Sequence, residues 1–207
     1  MTNSASVTVH FQHAWKAFKS HPRVFVISML VLFASWVVLE VAVIALQRFG
    51  IVVWLVLHFA FFVFFSGVMV GLHRIALETV QGKTPRLTNL TALLDRGPTF
   101  LLAFSIYLMA VVSGLVLLVV PGIIVAVRYA FFGQIIATRS KSALEALRDA
   151  AALSEGRRWT LGVFLLLVLF LNVVGAAVLG VGLLITFPVS LLATSDLYRS
   201  LQQQPAP

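Results

Sequence analysis

Residues 24–46 read VFVISMLVLFASWVVLEVAVIAL, an apolar run interrupted by a single charged residue, Glu40. A helix needs about 20 such residues to cross the roughly 30 Å hydrocarbon core of a bilayer. This run is long enough to span a membrane, and it is too long to be the apolar region of a cleavable signal peptide. It therefore predicts that the chain enters a membrane close to residue 24.

Five further apolar runs follow, so we predict an all-α fold, a bundle of six transmembrane helices. Of the 207 residues, 60% are hydrophobic and 11% are charged, less than half of the roughly 25% usual in soluble domains. The mean hydropathy is +1.03. The predicted spans are residues 24–46, 51–73, 98–120, 121–138, 159–178 and 181–197. They lie in a domain of residues 23–200, between an N-terminal helix of residues 1–22 and a flexible tail of residues 201–207.

The basic residues predict the orientation of these spans. Of the 15 Lys and Arg residues, all but Arg48 and Arg128 fall in the termini and loops on one side of the predicted membrane. The positive-inside rule then places both termini in the cytoplasm, as an even number of spans requires, and the protein in the inner (plasma) membrane. The net charge of +8 is explained by this topology, so we expect no nucleic-acid partner. The absence of cysteine excludes disulfides and thiol catalysis.

Amphipathic helices are expected on the cytoplasmic face. Residues Val7, Phe11, Trp15 and Phe18 fall on one face of a helix, which predicts a helix lying in the headgroup plane with its aromatic side chains in the bilayer. This helix and the start of the fifth span carry the predicted interfacial anchors. The anchors are Trp15, Lys16, Lys19, Arg157, Arg158 and Trp159.

Two shorter amphipathic helices are predicted on the same face. Residues 88–96 form one, closed by Gly97 and a proline. The other begins at Ser142, where Ser142 and Glu145 have the spacing of a capping box, and it ends before Gly156. Its predicted inner face consists of Leu144, Leu147, Ala151 and Ser154.

Several segments resemble a known group of families. Residues 120–129 read VPGIIVAVRY, residues 142–147 read SALEAL, residues 153–159 read LSEGRRW, and residues 71–77 read GLHRIAL. Together they resemble the bacterial YciC-like and glycerophosphoryl diester phosphodiesterase membrane-domain families, across residues 67–160. The resemblance implies a six-helix integral membrane protein of bacterial type. It implies no phosphodiesterase activity, because the soluble domain of some relatives is not among these residues.

Five polar residues lie at one predicted depth, six or seven residues from the outer end of their spans, or roughly 9–10 Å. They are Glu40, His58, Ser113, Arg128 and Asn172. An arginine without a partner in hydrocarbon costs at least about 2.5 kcal/mol, so we expect Glu40 to neutralise Arg128. The alternative is an outward-facing pocket in which Arg128 binds an anion such as a lipid phosphate, because the planar guanidinium suits phosphate.

No catalytic, cofactor or metal motif accompanies these residues. His10 and His13 lie on the exposed side of the first helix and are read as solvated, not as metal ligands. Gly67 and Gly71 form a G-x-x-x-G motif, read as close packing within the chain.

The leading hypothesis for function is a non-enzymatic inner-membrane protein that organises or binds membrane lipids, through anionic headgroups at the cytoplasmic face, or protein partners. The alternatives are a small transporter or lipid-handling protein that uses the polar layer around Arg128, for which Pro188 is the one candidate helix break, and an intramembrane enzyme with Ser113 near His58. We expect no cofactor, and the sequence leaves the oligomeric state open.

Overall fold

The computed structural model describes residues 4–139, 142–178 and 180–203, which form nine α-helices and contain no strand. The all-α prediction is therefore confirmed for these residues. The helices are α1 (Ser4–Ser20), α2 (Pro22–Leu46), α3 (Ile51–Val80), α4 (Gly97–Leu117), α5 (Val119–Tyr129), α6 (Phe132–Arg139), α7 (Ala143–Ser154), α8 (Arg158–Ala177) and α9 (Leu183–Gln203). Residues 201–203, predicted as tail, continue α9, and residues 204–207 lie outside the described part.

Five helical segments are long and apolar enough to cross a membrane, which indicates a membrane protein. They are Pro22–Leu46, Ile51–Val80, Leu87–Leu117, Val119–Arg139 and Arg158–Ala177. Helix α9, the predicted sixth span, is not among them.

Burial divides the molecule into two halves. In α3 the residues from Ser66 onward are mostly buried, whereas the preceding turns expose large apolar side chains such as Phe59 and Phe62. Helix α9 is likewise buried from Pro188 to Leu201. We call the end formed by these segments with α1, α6 and α7 the packed half. The opposite ends of α2, α3, α4, α8 and α9 form the splayed half, whose exposed apolar surface suits contact with lipid.

Helix α1 packs against α9, and most of the face that we predicted to lie in the bilayer is buried against protein. Its buried face consists of Val7, Ala14 and Phe18, with Phe11 half-buried beside them. Trp15, predicted on this face, is 42% exposed. Ala14 occupies the buried face of α1 in place of Trp15, because its small side chain lets α1 and α9 approach closely.

Residues 88–96 do not form the predicted amphipathic helix. They form two 3₁₀ turns, Leu87–Leu90 and Leu94–Arg96, which run along α3. Gly67 and Gly71 make this approach possible. A Cβ atom on Gly67 would lie 2.9 Å from the Cα of Leu94, and one on Gly71 would overlap the carbonyl of Leu90. The G-x-x-x-G motif therefore packs within the chain, as predicted.

The predicted fourth span is two helices. Leu118 is extended between α4 and α5, and the 11-residue α5 ends at Tyr129 before α6 begins at Phe132. Gly114 and Gly122 allow the hairpin of α4 and α5 to close, because a Cβ on Gly114 would lie 2.7 Å from the Cα of Gly122. With the interruption at residues 130–131, both α5 and α6 contact α7.

Helix α7 begins as predicted. The side chain of Ser142 accepts a hydrogen bond from the Glu145 amide at 3.4 Å, and the Ser142 amide donates to the Glu145 carboxylate at 3.2 Å. Gly156, with φ +71°, follows its end. Leu144 is 56% exposed and lies outside the buried face, contrary to our prediction, since Ala143 and Ala146 take the inner positions.

Gly71→Ala tests the contact between α3 and residues 87–90. The added methyl group would meet backbone, so we expect the free energy of unfolding to fall by about 1–3 kcal/mol. Thermal unfolding in detergent micelles measures it. Gly162→Ala is the matched control, because its Cβ would meet only Val127 Cγ2 at 3.8 Å. A Gly71→Ala variant as stable as Gly162→Ala would contradict this packing.

Candidate functional site

A large cavity opens between α2, α3, α4 and the first turns of α9. Its volume is about 760 Å³. Each of the four helices contributes large apolar side chains to the walls. These include Met29, Phe33, Phe62, Met69, Leu101, Phe104, Leu184 and Phe187. We call this space the apolar cavity.

The apolar cavity offers a ligand almost no polar group. Ser66 is the one hydroxyl among its lining side chains, and its oxygen lies 2.8 Å from the carbonyl oxygens of both Val63 and Gly97. Because this hydroxyl is buried and already donates within the protein, the walls present mainly hydrocarbon and aromatic surface. Such a space favours an apolar ligand.

Glu40 and His58 line a second cavity of about 430 Å³ that adjoins the first. The two cavities share lining residues Leu32, Phe33, Phe62 and Phe65. The structure therefore brings together two of the five residues predicted to form one layer. His58 Nδ1 lies 2.9 Å from the Trp54 carbonyl oxygen and donates to it, which leaves Nε2 as the other polar atom of the ring.

Arg128 lies elsewhere, in a third cavity of about 360 Å³ between α4, α5 and α7. Arg148 of α7 and Glu155, the residue that follows α7, also line it, as do Tyr107 and Tyr129. Glu40 does not, and the expected ion pair between Glu40 and Arg128 is not formed. Since the short α5 packs against α7, Arg128 lies beside a charged residue of a helix that we had assigned to the cytoplasmic face.

The remaining two members of the predicted layer are also separate. Asn172 of α8 donates hydrogen bonds of 2.8 Å to the Val168 carbonyl and to the Ser190 hydroxyl of α9. Ser113 is exposed on α4. The five residues therefore occupy four places, and only Glu40 and His58 share one.

Of the two histidines expected to be solvated, His13 is 57% exposed, whereas His10 is only 15% exposed. His10 Nδ1 lies 2.6 Å from Asp196 Oδ2, and His13 Nδ1 lies 3.5 Å from the same oxygen. His10 is largely buried, and its ring also packs against Phe164. Sequence reasoning missed Asp196, although an acidic residue in the sixth apolar run was the available signal. No group of three or more His, Asp or Glu side chains in the described chain is arranged to hold a metal ion.

The predicted interfacial anchors differ in exposure. Trp159 is 82% exposed and Arg158 is exposed, whereas Arg157 is half-buried. Lys16 and Lys19 are exposed, and Lys19 Nζ lies 5.0 Å from the centre of the Trp15 ring. These positions suit residues at a membrane surface.

Comparison of the chain with protein-family models, with curated proteins and with solved structures finds no match. The resemblance of residues 67–160 to the YciC-like and related families therefore stays a prediction.

A double-mutant cycle tests this arrangement of polar residues. Glu40→Gln and Arg128→Gln should change the free energy of unfolding additively, within about 0.3–0.5 kcal/mol, because the two side chains line different cavities. Asn172→Ala and Ser190→Ala are the matched pair in contact. Their coupling should be near 0.6 kcal/mol, the average for hydrogen bonds between membrane helices. A strong coupling energy between Glu40 and Arg128 would show that the two side chains form the ion pair, and would contradict this arrangement.

Proposed function

We propose that the protein is a non-enzymatic integral protein of the inner membrane that binds membrane lipid and holds an acyl chain in the apolar cavity. The observation that carries this proposal is the cavity itself, which is walled by three apolar segments long enough to cross a membrane. The fluid around such segments is lipid, so an acyl chain is the apolar ligand present at the highest concentration.

The size and lining of the apolar cavity support an acyl-chain ligand. Its 760 Å³ fall within the roughly 300–1,000 Å³ typical of small-molecule sites. Phe33, Phe62 and Phe104 surround it with aromatic surface, against which methylene groups pack well. An aqueous solute would lose its hydration there without gaining a hydrogen bond.

We further propose six crossings, with α9 as the sixth and both termini in the cytoplasm. Helix α9 is less apolar than the other segments because its neighbours are helices, and polar residues are tolerated on surfaces that face protein instead of lipid. Its charged residues have partners, since Asp196 contacts His10 and Arg199 donates to the Val80 carbonyl at 2.8 Å. The tight contact of Gly175 with Gly182 supports a hairpin of α8 and α9.

Single cysteines test the number of crossings, because the chain has none of its own. Ser20→Cys, Val181→Cys and Gln202→Cys each introduce one thiol at an exposed position. In right-side-out membrane vesicles, a membrane-impermeant maleimide should label Val181→Cys directly, and the other two only after permeabilisation. Labelling of Gln202→Cys from the same side as Val181→Cys would leave five crossings and refute the sixth.

Filling the apolar cavity should remove the acyl chain. Leu101→Trp places a large ring in the cavity, whereas Leu102→Trp, the matched control, points out of it from a residue that is 55% exposed. The probe is a phosphatidylcholine with a diazirine in its acyl chain, crosslinked by light in reconstituted membranes. We expect labelling of peptides containing Met69 or Phe104 to fall several-fold in Leu101→Trp alone. Equal labelling in both variants would overturn the proposal.

A further inference from the structure

We propose that the cavity lined by Arg128 and Arg148 is a binding site for a phosphate oxyanion. The ligand chemistry is a phosphate group on the two guanidinium groups, carried by a phospholipid headgroup or supplied as free phosphate. This site is separate from the apolar cavity and goes beyond the acyl-chain function proposed for it. We call it the arginine cavity.

An unused buried donor is the first observation. Arg128 Nε is buried and has no hydrogen-bond partner among the residues that the structure describes. Its closest described interaction is with the face of Tyr129, whose ring centre lies 5.7 Å from the guanidinium carbon. The Arg128 side chain forms no hydrogen bond with any described residue, so the terminal N–H groups of its guanidinium remain available as donors to a ligand.

The charge of the arginine cavity is the second observation. Two arginines and one acidic residue, Glu155, line it. No carboxylate of the described chain lies within 4 Å of Arg128 or Arg148. The cavity therefore carries one uncompensated positive charge, which a phosphodiester with a single negative charge would balance. Guanidinium groups also match the geometry of phosphate oxygens, because two parallel N–H donors can reach two oxygens.

The backbone of two helices places both arginines at the arginine cavity. Helix α5 ends one residue after Arg128, at Tyr129. The capping box of Ser142 fixes the start of α7, and Arg148 follows one and a half turns later on its exposed side. The cavity therefore lies between the end of one helix and the middle of another, and both arginines line it.

The rest of the lining favours a phospholipid over free phosphate. Ile106, Leu144 and Leu147 form apolar walls next to the arginines, and a glycerol backbone with its first methylene groups can cover them. The tyrosines Tyr107 and Tyr129 complete an amphipathic lining. Such a surface matches a ligand that is charged at one end and apolar at the other.

Thermal unfolding of the full chain in detergent tests the site, since a ligand that binds the folded state raises the Tm. The probes are dioleoylphosphatidylglycerol, dioleoylglycerol, which has the same chains and no phosphate, and inorganic phosphate. The variants are Arg128→Gln, Arg128→Lys and Arg148→Gln. Arg158→Gln is the control, because Arg158 is an exposed arginine outside the cavity.

We expect phosphatidylglycerol to bind about tenfold or more weakly to Arg128→Gln and Arg148→Gln than to the wild type, as loss of a charge-assisted hydrogen bond predicts. Arg128→Lys should be intermediate, since it keeps the charge and loses the planar fork. Dioleoylglycerol should be insensitive to all four substitutions. Stabilisation by inorganic phosphate that depends on Arg128 would support the site with free phosphate as its ligand.

Two results would overturn the inference. One is phosphatidylglycerol binding that is unchanged in Arg128→Gln and Arg148→Gln. The other is an equal loss in Arg158→Gln, which would indicate general attraction to a basic surface. Crosslinking of the diazirine lipid in Arg128→Gln shows whether that variant is folded. Because Arg128 does not line the apolar cavity, this control also distinguishes failure of the phosphate site from failure of the acyl-chain proposal. If Arg128→Gln does not fold, the phosphatidylglycerol affinity of Arg148→Gln tests the site instead, because Arg148 lies on the exposed face of α7.

Discussion

The burial of α9 against α1, α3 and α8 is the constraint on which the rest of the structure depends. Helix α9 carries Asp196 among apolar neighbours, and His10 of α1 contacts that carboxylate. A partly buried carboxylate is stabilised by such a partner, so the contact helps to hold α1 on α9. The first turns of the same helix supply Leu184 and Phe187 to the apolar cavity. One helix therefore links the packed half to the cavity in the splayed half.

Hydrophobic periodicity was enough to predict an all-helical chain with several apolar segments, and it failed where packing between helices decides the local structure. The capping residues Ser142 and Glu145 act on their own helix, so the sequence identifies the start of α7 directly. The close approach at Gly67 and Gly71 is also local in origin, since only glycine leaves room for another backbone. The two 3₁₀ turns packed there could not be predicted, because residues 88–96 carry a helical pattern and only contact with α3 selects the tighter turns.

The predicted layer of five polar residues does not form, and the reason is geometric. Counting residues from the end of a span gives the depth of a side chain, but contact also requires that its helix be rotated toward the partner. Glu40 and His58 satisfy both conditions and line one cavity. Arg128 does not join them, because its predicted span is interrupted at residues 130–131 and α5 contacts α7. The candidate site was therefore predicted as a set of residue types, and their grouping into cavities depends on helix rotation that one sequence does not specify.

Helix α4 forms a wall of both cavities to which we assign ligands. Phe104 lines the apolar cavity and Tyr107, less than one turn further on, lines the arginine cavity. Their ring centres lie 6.5 Å apart, and Phe132 of α6 lies 5.5 Å from Tyr107. Because Phe104 and Tyr107 belong to one helix, a rotation of α4 about its axis that widens one cavity also moves the wall of the other. Ligands in the two cavities would therefore act on the same helix, although no single side chain lines both.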